Sequence, residues 1–369
     1  MRILLLDQFA GLGGAQLALL DLVPALAQAG WAIHAALPGP GALDKRLWAR
    51  GVSLHRLSLH NYSSGTKTLR DGVHFMRDLW EVAGEIRALL ERLSPALVYV
   101  NGPRLMPALA WARPAAPVLF HVHNEPSSGL NLVAAAVRRT GAAVITASRF
   151  LAQCWPGATV IYGGVEGPPA PPPRRGGAVG LIGRFAPQKC QKEFARAAAL
   201  VGPERPFLLC GDALAGDRRA ERYKHEVLTS APDNLRWLGW RDDVYPVLDQ
   251  LDLLVVPSAR EGGVPRVVLE AFAAQVPVLA LASGAIPEAL VDGENGFLLR
   301  SGTAQEIAGR IRQLLADPGR LAAVALRAHS LWRERFTAGR YRSEVLASIL
   351  QKMAAAKTPA AAVESRAAG

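Results

Sequence analysis

The sequence predicts an α/β protein of two domains, each built on a doubly wound parallel sheet. Three observations carry that expectation. The 369 residues suffice for about two domains of ordinary size, each able to bury its own core. Short apolar runs alternate with helical stretches along the chain, the pattern of strands covered on both faces. A single proline-rich segment interrupts the alternation, after which it begins again. With 50% hydrophobic and 20% charged residues and a mean hydropathy of +0.14, the composition is that of a packed globular protein, far from the disordered range.

The first half opens with a buried strand from Arg2 to Leu6, then the glycine turn GLGG (Gly11 to Gly14), then an amphipathic helix to about Gln28. WAIHAALP, PALVYVNG (entered at Pro95), PVLFHVHNE and AAVITAS read as further strands. From Glu166, EGPPAPPPRRGG places five prolines between loosening residues and reads as an interdomain linker. The second βα series runs through AVGLIGRF, FLLCGD, NLRWLGW, LDLLVVPS and VPVLALA into Ala-rich helices punctuated by DPGR (Asp317 to Arg320). The expected division is a Rossmann-like N-terminal domain at 1–165, a linker at 166–177 and a Rossmann-like C-terminal domain at 178–335. A helix at 336–355 is expected to pack back towards the first domain, and 356–369 to form a frayed tail.

Several classes of protein are disfavoured at this stage. Cys154, Cys190 and Cys210 are too few and too widely spaced for a disulfide framework or a CxxC metal knuckle, which fits a reducing, cytoplasmic setting. The N-terminal apolar run ends at Asp7, too short for a signal-peptide core. The longest apolar stretch, Leu17 to Leu37, is broken by Asp21, Pro24, Gln28 and His34, so no spanning helix is expected. The net charge of +11 suggests a phosphate-bearing partner. It divides as +5 in residues 1–166 and +6 in the remainder, so the basicity is dispersed. Without a recognised nucleic-acid motif, and with few interleaved aromatics, a nucleic-acid partner is not expected.

In open parallel sheets ligands sit beyond the carboxyl ends of the strands, so two such sheets are expected to face one another across a ligand cleft. GLGG follows a strand and precedes a helix, where glycines let a ligand approach the backbone and the helix N-terminus favours an anion. The alternative is that these glycines serve the turn alone. A dinucleotide fingerprint would require GxGxxG and a downstream acidic residue, neither of which is present, so a dehydrogenase is disfavoured.

The runs VGLIGRFAPQKCQKEF, NLRWLGWRDDVYPVLDQLDLLVVPSAREGGVPRVVLEAFA and PVLALASGAIPEALVDGENGFLL resemble, in order and spacing, the donor-binding domain of family 4 (GT4) glycosyltransferases, from about Gly180 to Leu299. The first half resembles that family in architecture, in its GLGG loop and in His123. The resemblance implies a GT-B fold, a nucleotide-sugar donor as co-substrate, no other cofactor, and transfer with retention of anomeric configuration. It places donor-binding roles on Gly13, Gly14, Gly183, Gly262, Gly263, Val264, Pro265 and Glu270, with Trp240 and Arg241 beside the base. The loop SGAIPE (Ser283 to Glu288) is expected to line the nucleotide pocket.

The physical reading runs beside the resemblance. Arg184 and Lys189, five apart across a loop that follows a strand, can hold a diphosphate and stabilise its charge as it leaves. Cys190 stands where the family has glycine. Glu270, placed at the start of LEAFAA, can accept hydrogen bonds from both ribose hydroxyls. The family's first motif glutamate stands eight positions before its second, which here is Gly262; Glu261 stands one earlier, a shift the glycine-flanked loop EGGVP can absorb. Glu261 then reaches the sugar; otherwise the N–H groups from Gly262 to Val264 hold it. His123 ends a strand and can hydrogen-bond a sugar hydroxyl, with His121 on the same strand face; a lone histidine there is otherwise a satisfied core residue. Arg184, Lys189, His123 and Glu261 are the expected catalytic set, acting by same-face displacement because no carboxylate is clearly placed as a nucleophile. No metal is implied, since Asp242 and Asp243 are adjacent and no cluster has metal-ligand spacing.

The expected acceptor is a saccharide or lipid-linked saccharide. A non-catalytic GT-B protein binding a sugar nucleotide or a partner enzyme is the alternative, motivated by the shifted glutamate and Cys190. Lys67 to Arg92 places Leu69, Val73, Met76 and Trp80 at helical spacing with Lys67, Arg70, His74 and Arg77 nearby, the pattern of a basic interfacial helix on an anionic membrane and equally of a core-packed helix with a solvated basic face.

Overall fold

The computed structural model describes residues 1–59, 69–125, 129–168, 176–214 and 217–357. By contacts the chain divides into two compact units, one of Met1–Ala147, Leu151–Ile161 and Arg342–Gly369, the other of Ser148–Phe150 and Tyr162–Tyr341. Of the expected linker, 169–175 lie outside the described residues, as do 358–369 of the expected tail.

The first sheet is built from β1 (Arg2–Asp7), β2 (Ala32–Leu37), β3 (Ser53–Arg56), β4 (Leu97–Asn101), β5 (Val118–Val122), β6 (Ala143–Thr146) and β7 (Thr159–Val160), in the spatial order β3-β2-β1-β4-β5-β6-β7. All its pairings are parallel. Around it run α1 (Gly14–Gln28), α2 (Ala42–Trp48), α3 (Leu69–Leu93), α4 (Met106–Ala112), α5 (Leu130–Thr140) and the short α6 (Arg149–Ala152). The central strands carry uninterrupted apolar runs because helices cover both faces: Ile3 to Leu6, Leu97 to Val100 and Val118 to Phe120 are wholly buried. The expected strands of this half are present. The four-residue β3 and two-residue β7, not read from the sequence, are short edge elements with half-exposed side chains.

The second sheet comprises β8 (Ala178–Ile182), β9 (Phe207–Cys210), β10 (Leu235–Trp237), β11 (Leu251–Val256), β12 (Val278–Leu281) and β13 (Phe297–Leu299), ordered β10-β9-β8-β11-β12-β13 and again all parallel. Its helices are α7 (Gln191–Val201), α8 (Arg218–Thr229), α9 (Tyr245–Leu248), α10 (Arg266–Ala273), α11 (Ala304–Leu315) and α12 (Pro318–Arg335), and α13 (Ala338–Lys357) closes the described chain. Phe185, Phe194, Phe207, Phe297 and Ile307 centre the core of this unit.

In both sheets the strand order reverses once, between β1 and β4 and between β8 and β11. Chain leaving the carboxyl ends of adjacent strands there departs to opposite faces, which opens a crevice above the sheet. In the first unit the buried Asp7 and Asn101 close β1 and β4 at that point.

α3 is core-packed over its described half, since Leu79, Val82, Ala83, Ile86, Leu89 and Leu93 are buried. Trp80 stands outward, 73% exposed, and Arg77 pairs with Glu81 at 2.8 Å. The side chains of 69–76, and Lys67, lie outside the described residues. Among the described residues no helix is long and apolar enough to cross a membrane.

Candidate functional site

In the second unit three loops leave the carboxyl ends of β8, β11 and β12 and bind one another. After β8, Gly183 and Arg184 lead into a single 3₁₀ turn, Pro187–Lys189. The Ala259 N–H, past β11, donates to the Gln188 carbonyl at 2.9 Å, and the Ser283 hydroxyl, past β12, donates to the Ala259 carbonyl at 2.6 Å. The Ala285 N–H donates to the Glu261 carbonyl at 2.9 Å. Gly284, at φ +56°, lies so close to the Glu261 backbone that a β-carbon would stand 2.0 Å from its oxygen. Only glycine permits both that conformation and that approach.

This convergence brings Lys189 and Glu261 together. The Lys189 Nζ donates to Glu261 Oε1, with the side chains 22% and 12% exposed. The half-buried Arg184 guanidinium makes no ion pair among the described residues, and its carbonyl accepts from Gln191 Nε2 at 2.8 Å. One cation is thus pre-paired and the other is open to an anion. Cys190 takes the left-handed conformation at φ 56° between the 3₁₀ turn and α7. That conformation is the physical reason a glycine suits the position.

Glu270 differs from expectation. α10 starts at Arg266, directly after Pro265, so Glu270 lies in its second turn rather than at its start, because the apolar periodicity extends back through Val268 and Leu269. Arg266 Nε donates to Glu270 Oε1 at 2.8 Å, and burial together with the nearby Glu270 charge raises the Tyr245 hydroxyl above its ordinary range. The N–H groups of Gly262, Gly263 and Val264 make no backbone hydrogen bond among the described residues, and the Gly262 carbonyl accepts from the Ser148 hydroxyl. Trp240 and Arg241 stand exposed past β10, with Trp240 Nε1 donating to Asp242 at 2.9 Å.

Glu288, the last residue of SGAIPE, has a role the sequence did not signal. Its carboxylate accepts from the Arg149 and Phe150 N–H groups at 2.8 and 2.7 Å and from the Tyr162 hydroxyl at 2.7 Å. It holds the segment that carries Ser148.

In the first unit His123 lies one residue past β5, where its Nε2 meets Asn101 Oδ1 at 2.8 Å. Asn101, opposite Asp7 in the β1/β4 register, donates from Nδ2 to Asp7 Oδ2 at 2.5 Å and to the Ala15 carbonyl at 3.2 Å. Asp7 also accepts from the Phe9 N–H at 2.9 Å and from Gln16 Nε2 at 3.0 Å. His121 Nδ1 lies 2.6 Å from the Tyr99 hydroxyl, and the two imidazole centroids are 3.8 Å apart. Burial pushes the Asp7 carboxyl up to about 7, against the pull of its N–H donors, and pushes His123 down to about 4. Asp7, Asn101, Tyr99 and Gln16 were not among the expected site residues. Their signal was a polar residue closing a buried strand, as in LLLDQ and VYVNG.

Gly13 is the residue before α1, in extended conformation, and Gly14 is the first residue of the helix. A β-carbon on Gly11 or Gly14 would meet nothing within 4 Å, so backbone on that side is open to a ligand. This loop shares the β1 end with the Asp7 network.

Two doubly wound parallel sheets, each with polar side chains at the carboxyl ends of its strands, define an α/β protein of the doubly wound class. The fold is GT-B. HepE of Anabaena, solved with UDP-glucose, superposes with a TM-score of 0.80 at 23% identity over 95% of this chain and 100% of that one. The sucrose-phosphate synthase of Thermosynechococcus elongatus gives 0.76 at 20% over 96% and 100%. Residues 13–202 match the Glycosyl transferase 4-like domain and residues 176–317 match Glycosyl transferases group 1. The chain therefore belongs to the GT4-type, group 1 glycosyltransferases. It is 31% identical over 148 residues to the lipopolysaccharide core biosynthesis glycosyltransferase LpsE of Rhizobium meliloti, covering 40% of this chain and 42% of that protein. It is 30% identical over 150 residues to a D-inositol 3-phosphate glycosyltransferase of Corynebacterium aurimucosum, covering 38% and 35%. The chain spans about two fifths of the length of the curated relatives it matches.

Proposed function

We propose that the chain is a retaining glycosyltransferase that moves a sugar from a nucleotide-sugar donor to a saccharide or lipid-linked saccharide, in bacterial cell-surface polysaccharide or glycolipid synthesis in the cytoplasm. The observation that carries this reading is the clasp of three strand-end loops that pairs Lys189 with Glu261 and leaves the Arg184 guanidinium open. Family membership, the UDP-glucose held by HepE and the similarity to LpsE, a lipopolysaccharide core biosynthesis glycosyltransferase, support it.

In this reading Arg184 and Lys189 hold the donor diphosphate. When the anomeric C–O bond to phosphate breaks, the acceptor oxygen bonds to the same face of that carbon and its proton passes to the departing phosphate oxygen. The two cations stabilise the leaving charge, which is why the reading requires no metal. Diphosphate binding draws Lys189 partly away from Glu261, whose freed carboxylate accepts from a sugar hydroxyl. The unbonded N–H groups of Gly262 to Val264 add donors, Glu270 takes the ribose hydroxyls, and His123 takes a substrate hydroxyl.

The test is transfer from a panel of nucleotide sugars (UDP-, GDP-, ADP- and dTDP-linked) to lipid-linked and free saccharides, with EDTA present and with the product anomer read by NMR. Product with the donor's anomeric configuration is expected. An inverted product would refute retention, and activity lost to EDTA would refute metal independence. Nucleotide binding without transfer or donor hydrolysis would favour the non-catalytic alternative.

A further inference from the structure

Resting on the reading of His123 as a substrate-hydroxyl contact, we propose that Asn101, its amide oriented by the Ala15 carbonyl and braced by Asp7, is a positioning residue that holds His123 as its Nε2–H tautomer, leaving Nδ1 as an acceptor for a substrate hydroxyl. A neutral imidazole has one donor and one acceptor nitrogen, and the partner of one decides the role of the other. The partner of Nε2 is the Asn101 side chain, so the orientation of that amide decides the chemistry His123 offers.

Two contacts fix the amide. The Ala15 carbonyl, 3.2 Å away in the first turn of α1, can only accept, so the group facing it is the NH₂. The same NH₂ meets Asp7 Oδ2 at 2.5 Å. The amide oxygen therefore faces His123 Nε2 at 2.8 Å, and Nε2 must bear the hydrogen. Asp7 is held in turn by N–H donors alone, from Phe9, Gln16 and Asn101, so its carboxylate cannot rotate without losing several bonds. Asp7 and Asn101 are 0% and 1% exposed, so water does not compete for these positions. No hydrogen bond to His123 Nδ1 is made among the described residues. The arrangement follows the logic by which an outer partner sets the tautomer of a working histidine.

The consequence is chemical polarity. His123 takes a hydrogen bond from a hydroxyl and does not give one, so a substrate whose group at that point is an acceptor only, such as a ring ether or methyl ether, loses the contact. Because the chain is tied through Ala15 and Gln16, the GLGG turn and the imidazole are registered to one another through the end of β1.

The test is a long-range ¹H–¹⁵N correlation spectrum of histidine-labelled full-length protein at pH 7.5, with the His123 signals assigned by comparison with His123→Gln. The parent is expected to show a protonated Nε2 and an unprotonated Nδ1. A protonated Nδ1 in the parent overturns the proposal without recourse to any variant. Asn101→Leu is expected to release the ring to a mixture of tautomers, whereas Asp7→Asn is expected to keep Nε2–H, because Ala15 still orients the amide. An unchanged tautomer in folded Asn101→Leu refutes the Asn101 role. In transfer assays Asn101→Leu is expected to lower kcat/KM by 10-fold or more. The predicted spectra with no transfer by the parent protein would leave the positioning intact and refute the catalytic reading on which it rests.

Discussion

Lys189 and Glu261 form a mostly buried ion pair across two loops of the second unit, 72 residues apart in sequence. The Glu261 carboxylate lets a half-buried cation exist without an uncompensated charge, and in the proposed mechanism it does so until a diphosphate arrives. In the same proposal the carboxylate becomes available to the sugar once the lysine turns to phosphate. The pair therefore belongs to the resting site, and removing either partner disturbs the other.

Lys189→Ala is expected to lower kcat by about 10²-fold or more, the range for losing one group that stabilises transition-state charge. Glu261→Gln, which keeps the shape and an acceptor oxygen, is expected to cost less. Steady-state assays with a saturating donor check both; near-normal turnover in Lys189→Ala would remove that residue from the mechanism.

Gly284→Ala should damage the site without touching any charged group. The new methyl would overlap the Glu261 carbonyl, where a β-carbon stands 2.0 Å from the oxygen, and the φ of +56° adds strain. Together these cost about 2–4 kcal/mol. Denaturant unfolding should register the loss, and the donor KM should rise as the Glu261 loop shifts.

Cys190→Gly is expected to stabilise. A non-glycine residue in the left-handed region gives up about 1–2 kcal/mol, and the added freedom of glycine in the unfolded chain returns about 0.5–1 kcal/mol. The net expectation is a gain of about 1 kcal/mol in unfolding free energy, with donor affinity unchanged. A destabilised variant would show that the thiol's packing outweighs the strain.

Asp7 gives stability a pH dependence of known sign. Its folded pKa, about 7, lies above its unfolded value, so the native state binds more protons than the unfolded state between about pH 4 and pH 7. Its contribution is complete below that window and is lost as pH rises through about 7. His123, lowered to about 4, acts oppositely: stability rises with pH between about 4 and 6.5. In the parent the two trends offset. Asp7→Asn removes the first, so its stability relative to the parent should increase with pH from about 4 to 7. Denaturant titrations at pH 5 and pH 7 read that difference; a ratio independent of pH would contradict it.

The sheets were legible because parallel strands covered on both faces leave uninterrupted apolar runs, as in Ile3 to Leu6 and Leu251 to Val256. The short β3 and β7 bury little side chain and leave almost no such trace, and β13, though it buries Phe297 and Leu299, is only three residues long. Arg184 and Lys189 could be placed in a loop because a loop after a strand is a local feature, whereas Glu270, expected at the start of a helix, lies in the second turn of one that begins directly after Pro265. The partners these residues take could not be located. Asn101 meets Asp7 across 94 residues through strand register, and Glu288 caps a segment 139 residues away through loop packing. The composition suggested an anionic partner, yet nothing in +11 indicated that one lysine was already paired while one arginine was not.

The central claim is that Arg184 and Lys189 hold the donor's diphosphate, and nucleoside diphosphate binding tests it most directly. UDP, GDP, ADP and dTDP are titrated into the parent and into Arg184→Ala/Lys189→Ala, with thermal unfolding as the readout, since a ligand bound only by the folded state raises apparent stability. The account predicts saturable stabilisation of the parent by at least one of the four, and its loss in the double variant while the variant remains folded. Equal stabilisation of both proteins, or none of the parent by any diphosphate, would contradict it.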